Sequence, residues 1–198
     1  MSAVEALHSY VNDLGFDPKV VNMTKQLHES IEGKFNNKFM SKLLDRFKNM
    51  EGTFLYNHSY LTSVIALTIG TKFSWMNYEN REKIYLGCVL HDLGYSDKEN
   101  ALKESLTKSE VEKLSHTEQE DVLGHTMKFA KHLATVKDMH QDVIKIVRDH
   151  HGIHAQDSYP KPVYTAEVNL IFALFVVSHE FALKLYAVNF NEKKIPAA

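Results

Sequence analysis

Histidine is the residue type in this chain that could carry chemistry: twelve of the 198 residues are His, whereas Cys occurs once. Six of the histidines fall on five predicted helices, and one of the six, His91, is followed directly by Asp92. Imidazole nitrogens and carboxylate oxygens together suit Zn, Mn, Fe, Co or Ni. A carboxylate next to a histidine can bridge two metals while the imidazole binds one of them, as in two-metal hydrolytic centres. The candidate ligands are His58, His91, Asp92, His125, His150, His151 and His179 or its neighbour Glu180.

The remaining histidines are expected to have structural roles, because an isolated His near a helix end often only complements the helix dipole or caps a carbonyl. His132 lies seven residues after His125 and is the one expected nearest to the site. His116 is an alternative to His125 as the middle ligand. Cys88 lies in an apolar run, which favours a buried packing residue over a nucleophile. The six histidines without assigned chemistry are His8, His28, His116, His132, His140 and His154.

Composition excludes several classes of protein. The 23 Lys and Arg residues against 25 Asp and Glu give a formal net charge of −2, which lacks the basic footprint of a dedicated DNA or RNA duplex binder. A single Cys excludes a disulfide framework and a zinc site with several thiolates. No secretory signal opens the chain, and apolar runs such as Leu170–Ser178 are too short to span a bilayer. We therefore expect a cytoplasmic protein that does not enter the membrane.

Helices must position the candidate ligands, since Gly and Pro fall between apolar stretches of helical period and no stretch alternates with period two. The sequence predicts an all-α bundle in one compact domain. Residues 1–50 lack clustered histidines and are expected to form a helical N-terminal hairpin or linker, with the metal-binding domain at residues 51–190. The predicted helices are Val4–Leu14, Val20–Ile31, Phe39–Phe47, Leu55–Phe73, Arg81–Leu93, Lys108–Ser115, Asp121–Ala134, His140–His151 and Ala166–Val188.

Read together, these motifs resemble the HD-GYP branch of the HD superfamily of metal-dependent phosphohydrolases, over about Glu51 to Leu183. HDLGY at residues 91–95 stands where the family has His-Asp-hydrophobic-Gly-Lys, and residues 106–110 resemble its Leu-Thr-x-x-Glu segment. Residues 125–133 keep the first, sixth and ninth positions of a His-Pro-x-x-Gly-Ala-x-x-Leu run, which favours His125 over His116. The His150-His151 doublet precedes SYP at residues 158–160, in place of GYP, at the family's usual separation.

The resemblance implies an HD-domain helical bundle with a helical N-terminal extension and two divalent transition metals, iron or manganese. It also implies that a water or hydroxide between the metals attacks phosphorus in line, and that the substrate is cyclic di-GMP or the linear dinucleotide derived from it. The family's last ligand position falls at His179, with Glu180 as the alternative. In this assignment one metal is held by His58 and His91, the other by His125, His150 and His151, and Asp92 bridges the two.

Several positions depart from the family pattern. Tyr95 replaces the Lys that supplies a cation to substrate phosphate, and Lys98 is the nearest candidate to contact substrate instead. Gly152 replaces the Glu after the doublet, while Tyr159 remains a candidate contact for a base or phosphate. Phe54 stands where members with a third metal have a carboxylate, so the sequence favours two metals.

These departures leave two alternatives to a cyclic-dinucleotide phosphodiesterase. One is an HD-GYP-like, metal-containing binding or signalling module with weak or no turnover. The other is an HD phosphohydrolase that acts on another nucleotide. Domains of this branch often follow a sensor or receiver domain, so such a missing domain is an expected partner. A second copy of the chain, in a homodimer, is another.

Overall fold

Short polar side chains determine where several helices begin. Asp17 accepts a hydrogen bond from the backbone N–H of Lys19, and Thr53 and Asn77 likewise cap the helices that follow them. Ser115 forms a reciprocal capping box with Glu118, in which each side chain bonds to the other residue's backbone N–H. Such caps satisfy N–H groups that have no partner within the helix.

The computed structural model describes residues 3–35, 37–103, 108–151 and 169–191. These parts of the chain contain nine α-helices, one 3₁₀ turn and no β-strand, which confirms the predicted all-α fold. The helices are α1 Ala3–Asp13, α2 Pro18–Lys34, α3 Lys38–Lys48, α4 Phe54–Gly70, α5 Tyr78–Leu90, α6 Lys108–Val111, α7 His116–Leu133, α8 Gln141–Asp149 and α9 Leu170–Asn191, with the 3₁₀ turn at Lys98–Lys103.

Two helix boundaries differ from the expected ones for a common reason. The helix predicted at residues 108–115 ends at Val111, and the one predicted to begin at Asp121 begins at His116. The cap at Ser115 accounts for both differences, because an N-cap residue starts a new helix rather than continuing an old one. As a result, His125 lies in the middle of α7 rather than near its start.

Helix α4 is the central element of the bundle. Every residue from Leu55 to Leu67 is buried, polar ones included. It packs against α9 and α5, while α5 also contacts α8 and α9, and α7 packs on α8. A helix that is apolar around its whole circumference belongs inside a bundle. The candidate ligands of five helices therefore face one shared interior around α4.

The N-terminal helices pack on the same core. Helix α2 contacts α4 and α5, and Val11, Ile31 and Phe47 belong to one buried apolar cluster with the side chains of α4. The boundary expected at residue 50 stays a prediction. None of the described helices combines the length and apolar character needed to cross a membrane.

Candidate metal centre

Five helices bring seven candidate ligands into two adjoining groups. The first ligand group is His58, His91, Asp92 and His179, and the second is Asp92, His125, His150 and His151. Within each group, one potential ligand atom per residue lies within 4.8 Å of all the others. All seven residues are at most 4% exposed. Three imidazoles and a carboxylate in each group match the donors that divalent transition metals take in proteins.

Asp92 belongs to both groups because its two carboxylate oxygens face different histidines. Its Oδ2 lies 3.0 Å from Nε2 of His91, whereas its Oδ1 lies 3.2 Å from Nε2 of His150 and 3.7 Å from Nε2 of His125. A carboxylate in this position can donate one oxygen to each of two metals. The bridging role of Asp92 stays a prediction, with which this placement is compatible.

Backbone carbonyls fix the orientation of three of the imidazole rings. Nδ1 of His91 lies 2.8 Å from the carbonyl oxygen of Cys88. Nδ1 of His125 lies 3.0 Å from the carbonyl oxygen of Val122, and Nδ1 of His150 lies 3.0 Å from that of Val147. A carbonyl oxygen only accepts hydrogen bonds, so each Nδ1 carries the proton. In the neutral ring, the lone pair is then on Nε2, the atom directed into the ligand groups.

This arrangement places two acceptors opposite each other, Nε2 of His125 and Nε2 of His150. Nε2 of His125 lies 3.5 Å from Nε2 of His150 and 3.3 Å from Nε2 of His151. Both ring nitrogens of His58 are buried without a hydrogen-bond partner among the described residues. Converging lone pairs in a dry interior repel one another unless a cation lies between them. The residues present therefore fit a metal centre better than a hydrogen-bonded polar core.

Burial keeps several of the histidines neutral, which is the form that binds metal. Desolvation, together with the neighbouring His179 and His91, holds the pKa of His58 well below its ordinary value. Burial also lowers the pKa of His150 to about 4, although Asp92 opposes the shift, and it holds the pKa of His151 well below normal.

The pKa of the shared carboxylate, Asp92, is lowered, whereas burial alone would raise it. Burial raises the pKa of Asp92, but its close contacts with His91, His125 and His150 hold it well below its usual range. Asp92 is accordingly ionised, beside His58, His150 and His151, which burial keeps neutral. One negative charge shared by two groups leaves the interior suited to cations.

The family model for the HD domain matches residues 55–174, which is more than half of the chain. The chain belongs to the HD-domain family. No match was found among curated proteins or among solved structures. Family membership and the buried His/Asp groups together support a metal-dependent phosphohydrolase in general.

Within this HD domain, the loop after the His-Asp pair packs against α7. Tyr95 is fully buried, and its ring stacks on that of His125 with centroids 3.9 Å apart and planes 19° from parallel. A Cβ at Gly94 would lie 2.7 Å from the carbonyl oxygen of His125 and 2.7 Å from Cβ of Phe129. Glycine therefore permits the close approach of the loop to α7, and the ring of Tyr95 packs on a candidate ligand.

Two side chains far apart in sequence hold this loop. Arg46 of α3 donates to the carbonyl oxygens of Leu93, at 3.2 Å, and Tyr95, at 2.6 Å. Asp121 of α7 accepts from the backbone N–H groups of Ser96 and Asp97, at 2.8 and 3.2 Å, and from Asn100, at 2.8 Å. Sequence reasoning did not identify either residue, because nothing in the local pattern distinguishes them from ordinary surface charges.

Asp149 is a third supporting residue that sequence reasoning missed. Its position directly before the His150-His151 doublet was a signal that could have identified it. The side chain is 2% exposed and accepts two hydrogen bonds from Arg148, of 2.7 and 2.8 Å. A further contact with Lys145 measures 3.3 Å. These contacts anchor the last turn of α8 immediately before the ligand doublet.

The other candidate residues lie outside the two ligand groups or outside the described residues. His116 is exposed at the start of α7, and His132 is exposed with Nδ1 bonded to the carbonyl of Lys128. Glu180 is half-buried and belongs to neither group. Lys98 begins the 3₁₀ turn, whereas Tyr159, Gly152 and His154 fall in residues 152–168, outside the described part.

Structural roles account for three further histidines. His140 caps α8 by accepting from the backbone N–H of Asp142 at 3.1 Å. Nδ1 of His28 lies 2.9 Å from the hydroxyl of Tyr85, and the ring of His8 packs on that of Tyr60.

Proposed function

We propose that this HD-domain protein is a phosphodiesterase of the HD-GYP type that hydrolyses cyclic di-GMP, or the linear dinucleotide derived from it. The observation that carries the proposal is the sharing of Asp92 between two buried groups of histidines. Two adjoining cation sites suit in-line attack on a phosphodiester. The dinucleotide substrate is inferred from the resemblance of residues 91–95 and 150–160 to the HD-GYP motifs.

In this proposal the chain's own residues hold two divalent metals, iron or manganese. His58, His91 and His179 would serve one metal and the remaining three histidines the other, with one oxygen of Asp92 for each. When bound, the metals supply Lewis-acid charge at the phosphoryl oxygens and lower the pKa of a water. The protein supplies imidazoles in fixed tautomers, and it shields these ligand residues from solvent.

One observation favours the alternative of a metal-containing module with weak turnover. Tyr95 is fully buried against His125. It cannot deliver a positive charge to a substrate phosphate as the family's Lys does. Transition-state stabilisation of a phosphoryl group by a cationic side chain is therefore missing at this position, which predicts slower hydrolysis.

The test is hydrolysis by protein loaded anaerobically with Fe²⁺ or with Mn²⁺, followed by chromatography of the products. We expect linearisation of cyclic di-GMP by the wild type and activity at background level for Asp92→Ala. His132→Ala is the matched control, since His132 is an exposed histidine on the same helix as His125. Metal content is measured on every sample.

Each outcome has a defined meaning. A fully metallated protein that binds cyclic di-GMP without turning it over supports the binding module. Hydrolysis of other nucleotides in a substrate panel, with none of cyclic di-GMP, supports the second alternative. Location in the cytoplasm, a homodimer and an additional sensor or receiver domain remain predictions.

A further inference from the structure

Helix α9 places a phenylalanine one turn before the candidate ligand His179. Phe175 is fully buried, and its ring stacks on that of His179, with centroids 5.4 Å apart and planes 26° from parallel. The same ring meets His91 at 5.3 Å and 66°, and His150 at 6.3 Å and 77°, both edge to face. One aromatic side chain therefore contacts three candidate ligands, which α5, α8 and α9 supply.

These contacts reach both ligand groups. His91 and His179 belong to the first ligand group, whereas His150 belongs to the second. His91 and His150 also meet edge to face, with centroids 5.1 Å apart, and their Nε2 atoms lie 3.0 and 3.2 Å from the oxygens of Asp92. The two groups therefore adjoin at this pair of imidazoles, which Asp92 contacts through its charge and Phe175 through its ring.

An aromatic ring restrains a movement that a single hydrogen bond leaves free. The carbonyl oxygens of Cys88 and Val147 hold Nδ1 of His91 and of His150. A hydrogen bond at one atom still allows the plane of an imidazole to tilt. Ring pairs prefer offset-stacked or edge-to-face arrangements with centroids about 4.5–7 Å apart, and the three contacts of Phe175 have these arrangements. The ring of Phe175 accordingly restricts how far these imidazoles can tilt.

We propose that Phe175 is a positioning residue shared by both metals, because its ring orients His91 and His179 toward one metal and His150 toward the other. This inference rests on the two-metal centre of the proposed function, but not on the identity of the substrate. Loss of the ring should therefore weaken the binding of both metals. Loss of a core ring that touches no candidate ligand should change only the stability of the fold.

The experiment measures Mn²⁺ binding to the full chain carrying Phe175→Leu, which remains apolar but has no ring. Equilibrium dialysis followed by metal analysis gives the number of Mn²⁺ ions bound per chain at each free concentration. We expect two ions in the wild type. In the variant, both should bind about tenfold more weakly or worse, a typical effect of losing a group that orients a ligand. Dialysis requires no turnover, so the result is independent of hydrolysis.

Phe172→Leu is the matched control on the same helix. Phe172 is 4% exposed, and its described ring contact is with Nζ of Lys145, 5.0 Å from the centroid, rather than with a candidate ligand. This control loses the same ring from the same core, but it should bind both Mn²⁺ ions as the wild type does. Thermal melts without metal compare the stability of the two variants, and Phe175→Met replaces Phe175→Leu if the latter does not fold.

The EPR spectrum of the Mn²⁺-saturated protein gives a second readout, which a change in stability alone would not alter. The spectrum depends on how the ligands are oriented around the ions, so it should change in Phe175→Leu and not in Phe172→Leu.

The proposal is overturned if Phe175→Leu binds Mn²⁺ as Phe172→Leu does, or if only one of the two ions is weakened. Either result leaves the phosphodiesterase proposal intact, provided that the wild type binds two ions and hydrolyses cyclic di-GMP. Two ions whose binding depends on Phe175, without hydrolysis of cyclic di-GMP, would support the role of Phe175 and overturn the phosphodiesterase proposal. A wild type that binds fewer than two ions would overturn both.

Discussion

The ends of their own helices orient two of the candidate ligands. His91 and His150 are the C-cap residues of α5 and α8, and each bonds a carbonyl three residues earlier. The last four carbonyls of a helix lack partners within it, so they are ready acceptors for a side chain. A histidine at such a position obtains a fixed tautomer without a carboxylate bonded to its other ring nitrogen.

A prediction at the residue scale concerns the ring of Tyr95. Tyr95→Leu should lower the affinity of the second ligand group for Mn²⁺ about tenfold or more, a typical effect of losing a group that orients a ligand. Tyr95→Phe should retain most of the affinity because it keeps the stacked ring. Competition titration against a chelator of known affinity, with metal analysis, measures the difference.

Tyr78→Leu is the control for that comparison, since Tyr78 is 58% exposed at the start of α5. Equal Mn²⁺ affinity in Tyr95→Leu and wild type would show that the stacking on His125 does not position the ligand.

At the scale of the elements, the loop after the His-Asp pair depends on an ionised Asp121. Burial raises the pKa of Asp121, but hydrogen bonds from Asn100, Ser96 and Asp97 outweigh it and lower the pKa below the ordinary value. A carboxyl with a lower pKa in the folded than in the unfolded state stabilises the fold above roughly pH 5. That contribution is lost as the pH falls through the folded-state pKa.

Asp121→Asn should therefore destabilise the protein by about 1–2 kcal/mol at pH 7, with the difference disappearing in acid. The amide must turn its NH₂ group toward an N–H donor, because both carboxylate oxygens accept hydrogen bonds in the folded state. Urea unfolding at pH 7 and at successively lower pH measures the effect. Glu120→Gln, at the exposed neighbouring acid, is the control, and a pH-independent difference would contradict the argument.

The sequence can predict a structural feature when the residues that cause it are close together in the chain. The apolar periodicity predicted that the helices exist, and residue type and motif spacing identified the candidate ligand histidines that the structure brings together. The early start of α7 was missed, although the signal at Ser115 and Glu118 is local and readable. The contact of Arg46 with the loop at Tyr95 could not be predicted, because it joins residues 49 positions apart and only the tertiary packing brings them together.

For the whole molecule, the N-terminal helices are expected to be inseparable from the HD domain. Ile31 and Phe47 are at most 2% exposed and lie in one apolar cluster with α4. Each buried side chain of this size contributes about 1.5–3 kcal/mol, so losing several approaches the net stability of a typical domain, about 5–15 kcal/mol.

A chain starting at residue 51 should accordingly melt at a much lower temperature than the full chain or fail to fold. Thermal unfolding followed by circular dichroism, with dye binding to report exposed apolar surface, tests this. A cooperative transition near that of the full chain would instead support a separate N-terminal hairpin.

The burial of all seven candidate ligands also has a kinetic consequence. None is more than 4% exposed, and they come from five helices packed around α4. The imidazoles can move off a metal held there only when those helices shift, so its residence time is governed by how often the bundle fluctuates. The motion of the protein then limits how fast a chelator removes the metal. The rate of metal removal should therefore reach a limit that more chelator does not increase.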